Sequence, residues 1–245
     1  MRVSLLLLAH GTRTVIGFCA TASTMQACRT AVERVDANMP LEVSDRVLGY
    51  VEALLSYNER TNVYSKSAYD KLPFHVADSL TLALDIRART PQRGVLDLGS
   101  GSGLPSVIIA CVNPHLAVFS VESKSRKTRF LTKAGSILGL DHYKALTQNV
   151  NELSRSWVFD VDFVTAKAFK PLPEVGPIAR RCILQEATLM VPISEAQRHD
   201  FALSEAQLTR HGVDHLYYTE SIQPSHGAEQ RKLLTIESAH ASRLR

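Results

Sequence analysis

The chain has 245 residues and a mass of 27.0 kDa, with 45% hydrophobic and 21% charged residues. This composition excludes a disordered or solenoid protein and predicts one α/β domain with an appendage. The formal net charge of +4 is compatible with a polyanionic partner but does not require one. The four cysteines are too scattered for a zinc site or a disulfide framework, so no metal is expected. They are Cys19, Cys28, Cys111 and Cys182.

The first 38 residues are rich in threonine and arginine and contain no acid before Glu33. This composition fits a transit peptide, and it also fits translated sequence upstream of a later start at Met25 or Met39. The apolar run at residues 3–9 is too short to span a bilayer. We favour the upstream extension and expect residues 1–38 to be poorly ordered. The expected location of the protein is then the cytoplasm. A transit peptide would instead indicate a mitochondrial or plastid matrix.

Two helices are predicted in residues 39–92. Apolar residues recur at steps of three and four from Leu41, which predicts a helix that ends near Asn58. A second helical stretch is predicted at about 68–87, bent at Pro73. These elements form the N-terminal helical cap of the predicted fold.

Strands and helices alternate through residues 93–245, the predicted catalytic domain. The pattern predicts a doubly wound, mostly parallel, seven-stranded sheet of Rossmann-like type. The predicted strands are 94–98, 116–122, 143–148, 160–166, 186–191, 213–221 and 231–236. The predicted helices are 104–112, 124–139, 173–184 and 195–211. In such a sheet the ligand lies at the carboxyl ends of the first strands, where the strand order reverses.

A glycine-rich turn follows the first predicted strand. Asp97 ends an apolar run and is followed by Gly99, Gly101 and Gly103, which favours a tight turn whose backbone a ligand approaches closely. A dinucleotide fingerprint needs a glycine at its sixth position, and neither register of this turn provides one. The pattern acid-x-Gly-x-Gly-x-Gly instead resembles the first motif of Rossmann-like methyltransferases that bind S-adenosylmethionine (SAM).

An acid also ends the second predicted strand. Glu122 follows the extended run 116–121, about twenty residues after the first glycines. A carboxylate at this position can accept hydrogen bonds from a ribose diol. The two features together predict a SAM site at the ends of adjacent strands.

Five motifs in order resemble one family, the bacterial small-subunit ribosomal RNA methyltransferase G family, also called glucose-inhibited division protein B. The motifs are Tyr57-Asn58 with Thr61-Asn62, His75 to Ser79, Asp97 to Pro105, Glu122-Ser123, and Arg126-Lys127 with Phe130-Leu131. The resemblance covers about residues 41–237. It implies methylation of a guanine at N7 in small-subunit ribosomal RNA, with SAM as the methyl donor. The expected substrate is the RNA or a 30S-type subunit, and we expect a monomer with no membrane partner.

The resemblance and the expected positions of these residues at the strand ends imply roles for individual residues. The expected SAM-binding residues are Asp97, Gly99, Gly101, Gly103, Leu104, Glu122, Val150, Asn151 and Lys167. Lys167 is also the expected catalytic residue, at the boundary between SAM and guanine. The expected substrate-binding residues are His75, Asp78, Lys127 and Arg231.

The chain departs from the family at four places. Ser106 follows the loop proline where the family has glycine, and Lys167 stands where it has arginine. Asn149 to Glu152 replaces an Arg-x-Glu segment, and Ile193-Ser194 replaces Lys-Gly. An ammonium cannot make the bidentate contacts of a guanidinium. Two alternatives therefore stay open, namely a SAM methyltransferase of a small molecule and a noncatalytic protein that binds ribosomal RNA or the ribosome.

The chemistry of guanine N7 fits the absence of an obvious acid–base constellation in the sequence. N7 already carries a lone pair, so no base has to remove a proton before methyl transfer. Catalysis then consists mainly of orientation, desolvation and charge stabilisation. The sequence also lacks the Asn/Asp-Pro-Pro-Tyr/Phe motif that methyltransferases of exocyclic amines use.

Overall fold

The computed structural model describes residues 6–152, 157–185, 187–194, 215–219 and 231–237. The helices are α1 (Leu6–Val35), α2 (Leu41–Asn58), α3 (Leu72–Ala88), α4 (Ser106–Val112), α5 (Ser125–Ile137) and α6 (Leu172–Cys182), with a short 3-10 helix at Lys66–Lys71. The strands are β1 (Val95–Leu98), β2 (Val118–Glu122), β3 (Tyr143–Thr147), β4 (Phe163–Ala166), β5 (Thr188–Ser194), β6 (His215–Thr219) and β7 (Arg231–Glu237). No helix in these residues is long and apolar enough to cross a membrane.

All seven strands form one sheet in the order β3-β2-β1-β4-β5-β7-β6. The first five strands are parallel, and β7 runs antiparallel to both β5 and β6. The order reverses between β1 and β4, so the loops after these strands open a crevice at their carboxyl ends. The predicted doubly wound, mostly parallel, seven-stranded sheet is confirmed. The predicted helix at 195–211 lies outside the described residues.

The two faces of the sheet are covered by different helices. Val95 points into a core shared with α4, α5 and the N-terminal helices, whereas Leu96 and Leu98 point into a core shared with α6. This alternation follows from the two-residue period of a strand. It places Asp97 on the α4 side of the sheet, where the polar side chain is fully buried.

Helix α1 corrects one expectation from the sequence. Residues 1–38 were expected to be poorly ordered, but Leu6–Val35 form a helix that contacts α2 and α3. Cys28, Ala31 and Val32 are buried in this contact. Their spacing of three and four residues puts them on one helix face, and that face has an apolar partner in α3.

Pro73 does not bend a helix, contrary to the expectation from the sequence. The segment divides into the 3-10 helix and α3, which begins at Leu72, so Pro73 lies in the first turn. A first-turn N–H has no partner within a helix, and a proline there removes no hydrogen bond. Helix α4 is also shorter than expected, because it begins at Ser106 rather than at residue 104.

Asn58 connects the end of α2 to the loop that follows it. Its side chain is fully buried, and its Oδ1 accepts hydrogen bonds from the N–H groups of Val63 at 2.9 Å and Tyr64 at 3.1 Å. Its Nδ2 donates to the Tyr64 carbonyl at 2.7 Å and to the Tyr69 hydroxyl at 2.9 Å. One amide thus satisfies three polar groups of the loop and the hydroxyl of Tyr69 in the 3-10 helix.

Replacing Asn58 with alanine removes all four bonds and leaves buried groups unsatisfied. We expect Asn58→Ala to lower the free energy of unfolding by about 2–4 kcal/mol, measured by urea denaturation. The matched control is Asn38→Ala, because the side chain of Asn38 is exposed. Equal stability of the two variants would contradict a structural role for the Asn58 amide.

Candidate active site

A cavity of about 330 Å³ lies where the parallel strands end, a size within the usual range of small-molecule sites. Its lining residues follow β1, β2, β3 and β4, and we call it the strand-end cavity. They are Gly99, Val121, Glu122, Ser123, Lys124, Lys127, Gln148, Asn149, Val150, Asn151, Ala168, Phe169 and Lys170. Its position is the one predicted from the reversal of strand order.

The glycine loop borders this cavity, and its three glycines meet different surroundings. A Cβ on Gly99 would lie 2.2 Å from the Phe169 ring, and one on Gly103 would lie 2.6 Å from Val107. These two glycines permit close packing. A Cβ on Gly101 would meet no atom within 3.8 Å, although its φ of +60° favours glycine. Gly101 is therefore the least crowded of the three loop glycines, and its positive φ is the reason for a glycine at this position.

Glu122 fixes the shape of this loop. Its Oε2 accepts the N–H of Gly101 at 3.0 Å, and its Oε1 accepts the N–H of Lys124 at 2.8 Å and the Ser123 hydroxyl at 3.3 Å. A carboxylate has about four lone-pair sites, so one on Oε2 remains for a further donor. The residue lines the cavity and is only 7% exposed. A fixed carboxylate with a spare acceptor suits a ribose hydroxyl.

Helix α2 holds the same loop from the other side. The hydroxyl of Tyr50 donates to the carbonyl of Ser102 at 2.8 Å. Tyr50 is fully buried, and burial raises the pKa of its phenol well above the ordinary value, which keeps it a donor. This role was not predicted from the sequence. The signal that could have found it was a tyrosine on the buried face of a predicted helix, since a buried hydroxyl needs a partner.

Asp97 lies within the core and does not line the cavity. It is fully buried, and its Oδ1 accepts the Thr165 hydroxyl at 2.7 Å, while its Oδ2 has no hydrogen-bond partner among the described residues. Burial raises the pKa of Asp97 to about 6, against the opposing effects of nearby hydroxyls and of Lys167. Asp97 therefore links β1 to β4 through Thr165 and does not contact the cavity.

Lys167, Asp78 and His75 come together although they are distant in sequence. The Nζ of Lys167 lies 2.9 Å from Oδ2 of Asp78 and donates to the His75 carbonyl at 3.4 Å. The side chains of Lys167 and Asp78 are 6% and 3% exposed. Lys167 does not line the cavity, but the next three residues do. The ion pair thus joins α3 to the segment that forms one cavity wall.

The other predicted site residues fall into two groups. Val150, Asn151 and Lys127 line the strand-end cavity, as expected of site residues. Leu104 instead packs against the core that includes α4. Arg231 pairs with Ser194 at the carboxyl end of β5, the sheet edge to which the cavity belongs. No group of three or more metal-ligating side chains occurs among the described residues.

Eight lining residues were absent from the predicted site. They are Val121, Ser123, Lys124, Gln148, Asn149, Ala168, Phe169 and Lys170. Asn149 also shapes its loop, because its Oδ1 accepts the N–H of Asn151 at 3.1 Å and its Nδ2 donates to Glu152 at 2.7 Å. In the sequence, the missed lining residues lie at the end of a predicted strand, shortly after one, or next to a predicted site residue. Their position could therefore have identified them.

The pKa of Asp97 predicts a pH-dependent stability. Its folded-state pKa, about 6, lies above the ordinary 3.8, so its contribution is present below pH 4 and is lost as the pH rises through 6. We expect the wild type to lose about 2 kcal/mol relative to Asp97→Asn between pH 4.5 and pH 7.5, because part of the total of about 3 kcal/mol is already lost at pH 4.5. Urea unfolding of both proteins at pH 4.5 and 7.5 measures this. A difference that does not vary with pH would contradict the buried, titrating carboxyl.

The buried ion pair predicts a specific pattern in a double-mutant cycle. Lys167→Met leaves the Asp78 carboxylate unpaired in the core, and we expect a loss of about 3–5 kcal/mol in unfolding free energy. Adding Asp78→Asn should restore part of it. The control is Lys170→Met, which removes a more exposed pair with Glu174 and should cost less than about 1 kcal/mol. Strict additivity in the cycle would contradict the pairing.

Comparisons with known proteins agree with this architecture. The O-methyltransferase TomG from Streptomyces achromogenes, involved in tomaymycin synthesis and solved in complex with SAM, superposes with a TM-score of 0.52 at 15% identity. The match covers 78% of this chain and 89% of that chain. At this identity the likeness establishes the fold alone, and the predicted Rossmann-like methyltransferase fold is confirmed.

Sequence relatives are more specific. The ribosomal RNA small subunit methyltransferase G of Paracoccus denitrificans is 34% identical over 146 residues, 59% of this chain and 73% of that protein. The protein of the same name from Vibrio campbellii is 28% identical over 214 residues, 75% of this chain and 100% of that protein. The profile of the family described as rRNA small subunit methyltransferase G matches residues 44–233. The chain therefore belongs to the rRNA small subunit methyltransferase G family.

Proposed function

We propose that this protein transfers the methyl group of SAM to N7 of a guanine in small-subunit ribosomal RNA. The observation that carries the proposal is the carboxylate of Glu122, fixed by the N–H of Gly101 at the edge of the strand-end cavity. Membership of the family supplies the reaction class and the RNA substrate. Both the acid and the glycine loop were predicted from the sequence as a SAM site.

The lining residues fit the parts of SAM. We assign the spare acceptor of Glu122 to the ribose diol, and Val150 and Asn151 to the adenine face and edge. We assign the glycine loop, whose Gly99 lines the cavity, to the methionine portion. When bound, SAM supplies an electrophilic methyl group on a sulfonium. These residues would hold SAM at the carboxyl ends of the strands.

The cavity lining also fits a methyl acceptor whose nucleophilic lone pair is available without deprotonation. Glu122 is the only acid among the lining residues, and it is already bonded to the loop, so no general base stands ready. Guanine N7 needs none. The contribution of the protein is then orientation of the base and exclusion of water.

We further propose that Lys167 positions the cavity wall at the boundary between SAM and guanine. Its pair with Asp78 holds the start of the Ala168–Lys170 segment, and Phe169 of that segment packs on Gly99. His75 and Asp78 then serve the substrate side by fixing α3 against this wall. Lys127 and Arg231 are the proposed cationic contacts to RNA.

The finer properties are also proposals. We propose that the protein acts as a monomer in the cytoplasm, on the RNA or on the assembled subunit, without a membrane partner. Residues 39–92 form the cap and residues 93–245 the catalytic domain in this proposal. Residues 1–38 are the extension that precedes them.

The decisive experiment follows labelled methyl from SAM into small-subunit RNA or subunits that lack the modification, and maps the labelled base. We expect label at N7 of one guanine. Glu122→Gln should weaken SAM binding at least about tenfold, because a hydrogen bond to a charged acceptor contributes about 1.5–3 kcal/mol. Calorimetry measures the affinity. The control is Glu59→Gln, whose exposed side chain lies outside the cavity lining.

Two other outcomes would contradict the proposal in distinguishable ways. SAM binding without transfer to RNA or subunits would favour the small-molecule methyltransferase. RNA binding without SAM binding would favour the noncatalytic protein. Unchanged SAM affinity in Glu122→Gln would overturn the assignment of the ribose site.

A further inference from the structure

A second concavity lies beside the strand-end cavity, between α5 and the edge strand β3. It is an open groove of about 650 Å³, which we call the α5 groove. It is lined by Ser125, Thr128, Arg129, Thr132, Lys133, Ser136, Ile137, Ala145 and Thr147. Five of these side chains carry hydroxyls, two are cations and none is an acid.

The positive charge of the whole chain is concentrated in residues 124–147, the segment that forms this groove. Residues 124–147 contain six lysines and arginines and a single acid, Asp141, a net charge of +5, whereas the entire chain has +4. The remainder of the protein is thus close to neutral. Charge gathered on one helix and one strand indicates an anionic partner more strongly than a weakly basic isoelectric point does.

The cations of this surface differ in their surroundings. Arg126 donates to the Asn62 carbonyl at 2.9 Å, and the Nζ of Lys133 lies 5.6 Å from the centre of the Tyr57 ring. Arg129 is exposed and forms no hydrogen bond or ion pair with a described residue. Its guanidinium is therefore accessible to an external ligand at the middle of the groove.

The α5 groove is adjacent to the strand-end cavity. Lys124 and Lys127 line the cavity, while Ser125 and Thr128 line the groove, so both concavities share the first turn of α5. The helix runs for 13 residues from this point, about 20 Å at 1.5 Å per residue. An RNA strand that places one base in the cavity can extend along the groove.

We propose that the α5 groove binds the phosphodiester backbone that flanks the target guanine. This inference rests on the proposed function and assigns the RNA path for the same site. Arginine, lysine and hydroxyl side chains are the usual phosphate ligands. A protein segment that added a β-strand beside β3 would need pockets for alternate side chains. The groove offers little for such pockets, because Ile137 and Ala145 are its only apolar lining residues.

The test measures RNA affinity of the full-length protein over a series of salt concentrations, with small-subunit ribosomal RNA as the probe. The variants are Arg129→Gln and Arg129→Gln with Lys133→Gln. Removing one cation that binds a phosphate of an RNA strand should lower the slope of log affinity against log salt by about 0.7 and weaken binding about fourfold at 0.15 M salt. SAM affinity should not change. The matched control, Arg180→Gln with Arg181→Gln, removes two exposed cations from α6 on the opposite face.

An unchanged salt slope in both variants would overturn the proposal. A defect seen with assembled subunits and absent with naked RNA would also overturn it, because the groove would then contact a ribosomal protein. The binding measurement does not require methyl transfer. A wild-type protein that binds RNA through the groove but transfers no methyl group would support the groove and contradict the proposed function.

Discussion

The parallel pairing of β1 with β2 on one side and β4 on the other determines the geometry of the site. The register sets Asp97 opposite Ser120 and Thr165, so all three strands end at one sheet edge. Glu122 can reach the N–H of Gly101 only because β2 ends beside the loop that follows β1. The cavity is therefore a consequence of strand order, and its lining comes from segments that are far apart in sequence.

The N-terminal helices are part of the site as well as a cover for the sheet. Tyr50 from α2 fixes the glycine loop through Ser102, and Asp78 from α3 holds Lys167 at the end of β4. Both contacts are buried, where a hydrogen bond or ion pair is weakened little by water. The cap and the sheet consequently support the two walls of the cavity together.

Two departures from the family are accommodated by local contacts. The Ser106 hydroxyl lies 3.2 Å from that of Tyr143, which also accepts a hydrogen bond from Ser120 at 2.7 Å. A buried serine in place of glycine therefore has a polar partner, and it links α4 to β2 and β3. Lys167, in place of arginine, keeps its charge within reach of Asp78. The ammonium has donors for both the Asp78 carboxylate and the His75 carbonyl, although it cannot make the bidentate contact of a guanidinium.

The sequence by itself determined the alternation of elements, the glycine turn, the acid of Glu122 and the family, because these depend on local pattern and spacing. Only the tertiary structure decided that Asp97 is a core contact, that Lys167 is paired with Asp78, and that Tyr50 anchors the loop. Each of these contacts joins residues more than 50 positions apart. Local periodicity predicts which face of an element is buried, but it does not predict which distant polar group will meet it there.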